Sequence, residues 1–124
     1  ISGTWNFGNA IASATGYKAI EIIQRDNLLN NAKKMGDYFL SGMNEIMGKY
    51  AKLINDVRGI GLMDAMEFNS RDLRNKIETK LLENGMLAIG CGYKALRFLP
   101  PLNVTKREIN IALEILDKTL REIK

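Results

Sequence analysis

Apolar residues recur every three or four positions along four stretches of the chain, and between these the period shortens to strand-like alternation punctuated by glycine. From about Asn9 to Gln24 the positions Ile11, Ala14, Ala19, Ile22 and Ile23 predict a helix whose first half, "AIASATG", is slim enough to let another backbone come close. Asp26 offers an N-cap, and Leu28, Ala32, Met35, Phe39, Met43 and Ile46 predict a longer helix running to about Tyr50, with Lys33, Lys34, Asp37 and Glu45 on its water face. The segment "LINDVRGIGLMDAMEF", residues 53 to 68, reads as two short strands around a Gly59/Gly61 turn. Ser70 caps a third helix that turns Leu73, Ile77 and Leu81 one way, and Gly85 stands where a left-handed C-cap belongs. "MLAIG" and "KALRFLP" are two further strand candidates, separated by Gly90, Cys91 and Gly92. Thr105 with Glu108 forms a capping box that opens a last helix, its stripe being Ile109, Leu113, Leu116, Leu120 and Ile123.

Helix, helix, strand pair, helix, strand pair, helix is the order expected of an α+β two-layer sandwich, with helices packed on a small, mostly antiparallel sheet and a long helical segment in front. At 124 residues and 46% hydrophobic composition the chain can bury a core of its own. Composition then removes several function classes. No histidine is present, which takes away the usual general base of Ser-His and Cys-His hydrolases. One cysteine, Cys91, rules out an internal disulfide and, with no histidine, argues against a zinc site, so no metal ligands are assigned. The formal charge of +4 is spread among acids at helix-surface spacing, a pattern that argues against nucleic-acid binding. No apolar run has the length of a membrane span, no signal-peptide pattern opens the chain, and the thiol and six methionines suit a reducing compartment, so the expectation is a cytoplasmic protein without membrane contacts. The chain opens at Ile1 directly into "SGTWNFGNAIAS", which reads as a piece of a longer polypeptide.

Arg97 is the residue that asks for a ligand. In "ALRFL" strand alternation sends Leu96 and Phe98 to one face and Ala95, Arg97 and Leu99 to the other, so a guanidinium emerges beside apolar groups on a sheet surface. A planar fork of donors suits a carboxylate, which it can hold by two parallel charge-assisted bonds. From the residues alone an arginine paired with a neighbouring acid, or snorkelling to solvent, is the readier explanation of the pattern. Thr4, just ahead of "NFGN" and a helix start, is either an ordinary turn residue or a hydroxyl placed to meet a phosphate. Arg58 reads as a brace for the hairpin, Asp64 as a residue facing an interface, and Cys91 as a small buried side chain.

Three stretches taken together resemble the C-terminal part of the class III, pyridoxal-phosphate-dependent aminotransferases, the group that contains 4-aminobutyrate, acetylornithine, ornithine and lysine aminotransferases. They are "SGTWNFGNAIASATGYKAIEII", "DVRGIGLMDAMEF" and "GCGYKALRFLPPLNVTKREI", in the family's order and spacing over about residues 2 to 123. The sequence departs from the family after Thr4, where Asn6, Phe7, Gly8, Asn9 and Ala10 make a loop one residue longer and without the usual proline. The resemblance implies a small domain over residues 26–124 and, over residues 1–25, a mostly helical segment crossing from a large domain that is absent from this sequence. It implies that Arg97 grips the carboxylate of an amino or keto acid, commonly 2-oxoglutarate or glutamate. It further implies that Thr4 touches the cofactor phosphate of the neighbouring subunit in a homodimer, and that Trp5 anchors the start of the chain against the large domain. The Schiff-base lysine of the family lies upstream of the matching segment, so none of the residues here is assigned a catalytic role and the chain alone is expected to be inactive, without binding pyridoxal phosphate by itself. A free-standing regulatory or small-acid-binding module, or a dimerisation element built on the slim first helix, is the alternative reading.

Overall fold

The computed structural model of the protein describes residues 8–123. Helix α1 (Ala10–Arg25) starts at Asn9, whose side chain accepts hydrogen bonds from the Ile11 and Ala12 N–H groups. None of its side chains is fully buried, and among the described elements it packs only against α2 (Leu28–Lys49). The joint between the two helices differs from the expectation. Asp26 closes α1 and pairs with Arg25 at 2.9 Å, while Asn27 begins α2 in the left-handed region, φ 54°, with no side-chain cap. Asparagine is among the few residues that tolerate this conformation, and its side chain instead accepts from Asn30.

Phe39, Met43 and Ile46 of α2 are buried, as their spacing predicts, and so is Gly36. Strands β1 (Ile54–Ile60) and β2 (Met63–Phe68) follow as an antiparallel hairpin. Its turn is Gly61 and Leu62, with Gly61 at φ 57°; Gly59 lies inside β1, opposite Asp64. The hairpin reaches α2 backbone to backbone, since a Cβ on Gly36 would stand 1.9 Å from the Gly61 carbonyl oxygen.

Helix α3 (Arg71–Glu83) is capped by Ser70, whose hydroxyl accepts from the Leu73 N–H, and Gly85 beyond it is left-handed, φ 94°. The second strand pair is shorter than its apolar run suggested. Met86 to Ala88 stay irregular, β3 covers only Ile89–Cys91, and β4 covers Ala95–Phe98, so Gly90 and Cys91 belong to a strand and the turn falls on residues 92–94. Thr105 caps α4 (Lys106–Ile123) through the Glu108 N–H.

The four strands form one sheet in the order β1-β2-β4-β3, every neighbouring pair antiparallel. Helices α2 and α3 lie on one face, and α4 packs against both. Between helices and sheet sit Phe39, Met43, Met66, Phe68, Ile77, Leu96, Phe98, Ile109, Leu116 and Leu120, with the Phe39 and Phe98 rings meeting edge to face at 5.9 Å. This is the α+β sandwich expected. Among the described residues the sheet's other face carries no helix, and no helix is long and apolar enough to cross a membrane.

Candidate carboxylate-binding face

Strand β4 is central, paired with β2 on one side and β3 on the other. Leu96 and Phe98 point into the core and are essentially inaccessible, so the residue between them has to face the open side. Arg97 does so, half-buried. Strand register then sets its surroundings: Arg97 is opposite Ala65 of β2 and Ile89 of β3, and Ala65 in turn is opposite Arg58 of β1. One row across the open face therefore reads Arg58, Ala65, Arg97, Ile89. The next row reads Asp56, Glu67, Ala95, Cys91. Toward the opposite end Ile60, Met63 and Leu99 are 78%, 57% and 52% exposed, an apolar border beside the arginines.

The two arginines differ in what holds them. Arg58 Nη1 lies 2.8 Å from Asp56 Oδ2 and 3.8 Å from Glu67 Oε1, and the bond to Asp56 raises its pKa above the ordinary value. It braces the hairpin, as its place in "VRG" predicts. Arg97 has no ion-pair partner among the described residues, and its Nε is shut off from solvent with no acceptor. A buried donor left unmatched costs about 1–3 kcal/mol. A carboxylate suits the terminal N–H groups of the same guanidinium, which lie in one plane and can hold both of its oxygens. The simple alternative in which Arg97 is neutralised by an internal acid finds no support among these residues.

Other candidates are placed differently from expectation. Thr4 and Trp5 lie outside the described residues. Asp64 faces the helix-covered interior and no interface: it is 1% exposed, it stands opposite Gly59 and Phe98, and neither of its oxygens has a hydrogen-bond partner. Burial, with a smaller contribution from the negative charge of Asp37, pushes its pKa up to about 6. Strand parity already carried that signal, since 64, 66 and 68 share a face and Met66 and Phe68 are core residues. Cys91 is half-exposed at the sheet edge and is not a core residue. Arg74 of α3 is a buried charge that the helix periodicity passed over, although it shares the stripe of Ile77 and Leu81.

Pyridoxal phosphate needs a lysine enclosed in a cavity to hold it covalently. Lys80 and Lys94 are half-exposed and the other described lysines are exposed, so the described residues do not compose that seat. An apolar hollow of about 410 Å³ is bounded by Gly48–Leu53 and Ile123, and neither Arg97 nor its neighbours in the sheet line it. What the described face offers is a guanidinium without an ion-pair partner among the described residues, beside an apolar border.

Known proteins place the same architecture in a defined family. The model of the aminotransferase class-III family matches residues 1–120. An acetylornithine aminotransferase of Caldanaerobacter subterraneus subsp. tengcongensis is 38% identical over 117 residues, which are 94% of this chain and 29% of that protein. A probable mitochondrial 4-aminobutyrate aminotransferase of Caenorhabditis elegans is 35% identical over 104 residues, 84% of this chain and 22% of that protein. Among solved structures, the acetylornithine aminotransferase of Elizabethkingia anophelis superposes with a TM-score of 0.90 at 30% identity, covering 98% of this chain and 33% of that one. The ornithine aminotransferase of Plasmodium yoelii gives 0.89 at 32% identity over the whole of this chain and 33% of that one. The chain thus spans about a third or less of the proteins it matches, and within that span its sequence and its fold make it a member of the class-III aminotransferase family.

Proposed function

We propose that this chain is the carboxylate-binding, C-terminal part of a pyridoxal-phosphate-dependent aminotransferase that moves an amino group from an ω-amino donor to 2-oxoglutarate. Residues 26–124 act as the small domain, and residues 1–25 connect it to a large domain that supplies the cofactor's seat and the Schiff-base lysine. The observation that carries this reading is Arg97: a guanidinium on a central strand, aimed out of an uncovered sheet face, with an unmatched Nε among the described residues.

In this reading Arg97 holds one carboxylate of the amino or keto acid in a fixed plane, which fixes the direction in which the reacting carbon is presented. Ile89, Met63 and Leu99 border the grip with apolar surface, which lowers the local dielectric and strengthens the charge-assisted bonds. Thr4 is assigned to the cofactor phosphate of a second subunit. The protonic steps belong to the large domain. In a full-length enzyme carrying this segment, Arg97→Ala is expected to raise the KM for 2-oxoglutarate by about tenfold or more, since each charge-assisted bond contributes roughly 1.5–3 kcal/mol. An unchanged KM refutes the assignment.

One observation favours a second reading. Helix α1 has no fully buried side chain, and its Ile11, Tyr17 and Ile20 are 79%, 74% and 60% exposed, as in an element that docks against another copy. Size-exclusion chromatography over a wide concentration range tests it, because a concentration-independent monomer excludes dimerisation through α1.

A further inference from the structure

Edge strand β3 has only three residues, and its middle one is held from outside the sheet. The Gly90 N–H donates to Glu78 Oε1 at 3.3 Å, and Glu78 Oε2 lies 3.6 Å from Arg74 Nη1. The Arg74 guanidinium lies so close over Gly90 that a Cβ there would stand 1.5 Å from Nη1. Gly90 has no positive φ, so the arginine and not the backbone conformation is what excludes a side chain. Arg74 is 8% exposed, and its Nε has neither solvent nor a partner among the described residues. A charge shut in this way, with one carboxylate at 3.6 Å, is a poor source of stability, and an apolar side chain would continue the stripe of Ile77 and Leu81 at lower cost. The pair is therefore weak evidence for the stability of α3.

Its effect is on β3. Gly90 stands opposite Leu96, and the adjacent Ile89 stands opposite Arg97. Ile89 is the only large side chain flanking Arg97 in its row, because Ala65 on the other flank ends in a methyl. Fixing the Gly90 amide fixes Ile89, and Ile89 walls one side of the Arg97 side chain. We propose that Arg74 and Glu78 are positioning residues: through Gly90 they hold β3 against β4 and so set the direction of the Arg97 guanidinium on the open face. That they thereby tune carboxylate affinity rests on the reading of Arg97 as the grip, and the two statements are tested separately.

The test is NMR of the whole 124-residue chain, following hydrogen exchange of the Gly90 amide and the Arg97 Nε–H, then titrating 2-oxoglutarate while watching the Arg97 Nε–H resonance. Glu78→Ala is expected to speed exchange at both positions by about tenfold or more while a core amide such as Met43 keeps its protection. Glu78→Gln, which retains an acceptor oxygen for Gly90, is expected to behave close to the unmodified chain. Arg97 exchange that stays unchanged in Glu78→Ala overturns the positioning role. If Glu78→Ala does not fold, Arg74→Lys, which keeps the charge but cannot lie flat over Gly90, is read in the same way. Apparent affinity for 2-oxoglutarate falling about threefold or more in Glu78→Ala supports the coupling to ligand. A 2-oxoglutarate titration followed through the backbone amides that is identical in the unmodified chain and Arg97→Ala sinks the carboxylate reading and leaves the exchange result to decide the positioning role by itself.

Discussion

Asp64→Asn removes a charge from a place that water does not reach. The carboxyl of Asp64 is 1% exposed, neither oxygen has a partner, and burial raises its pKa from 3.8 to about 6. Between those two values the folded chain binds one proton more at this site than the unfolded chain does. Stability therefore falls as pH rises through the interval, at 1.36 kcal/mol per pH step, and the deficit above pH 6 is about 3 kcal/mol. Asparagine has nearly the same shape and no charge, so this component of the pH dependence disappears. Absolute stability is a poorer readout, since a buried amide without partners has its own cost of about 1–3 kcal/mol. The assay is urea unfolding of both proteins from pH 3.5 to 8, taking the difference at each pH so that the other carboxylates cancel. The difference should climb in favour of the variant by about 2 kcal/mol between pH 4 and 6.5 and level off, at about 3 kcal/mol in all, by pH 8. A flat difference refutes the reasoning, and shows that the ionised carboxylate is hydrated or matched in solution.

Further outcomes follow from other parts of the fold. Gly36→Ala drives a methyl into the Gly61 carbonyl, so urea unfolding should show a loss of about 1–3 kcal/mol. Asp117, held below the usual carboxylate range first by its bond to Arg121 and also by Tyr50 and Lys49, contributes stability that is present at neutral pH and lost as pH falls through its lowered pKa. Asp117→Asn should reduce stability at pH 7 and leave it little changed near pH 2, read from thermal melts at both. Removal of residues 1–25 should leave the melting temperature of the remainder nearly unchanged, because α1 has no fully buried side chain; a large drop would contradict the placement of a boundary there.

Periodicity was a good guide wherever packing and propensity agree. Phe39, Met43 and Ile46, or Ile109, Leu116 and Leu120, fall inside because a helix that buries a stripe leaves little freedom in which residues it buries. The errors fall at junctions, where a single residue can serve either neighbour. Asp26 has the chemistry of an N-cap, yet pairing with Arg25 takes its carboxylate, and the left-handed turn passes to Asn27. "MLAIG" is strand-like by composition, but as an edge segment it pairs on one side only, and three residues are all that remain in the sheet. The orientation of Arg97 was legible from alternation between Leu96 and Phe98. What alternation cannot give is which strands lie alongside, and so the row containing Ala65, Arg58 and Ile89 required the sheet order. Arg74 was passed over because a charged residue in a helix reads as solvent-facing, and only the glycine at position 90, far along the chain, makes room for it.

The strand order has a last consequence. β1 with β2 and β3 with β4 are each close in sequence and can zip up locally, whereas the seam joining β2 to β4 brings together residues some thirty positions apart. Arg97 stands on that seam, opposite Ala65. A partly assembled chain therefore leaves the arginine loose, and the full row around Arg97 arrives only with the docking of the two hairpins.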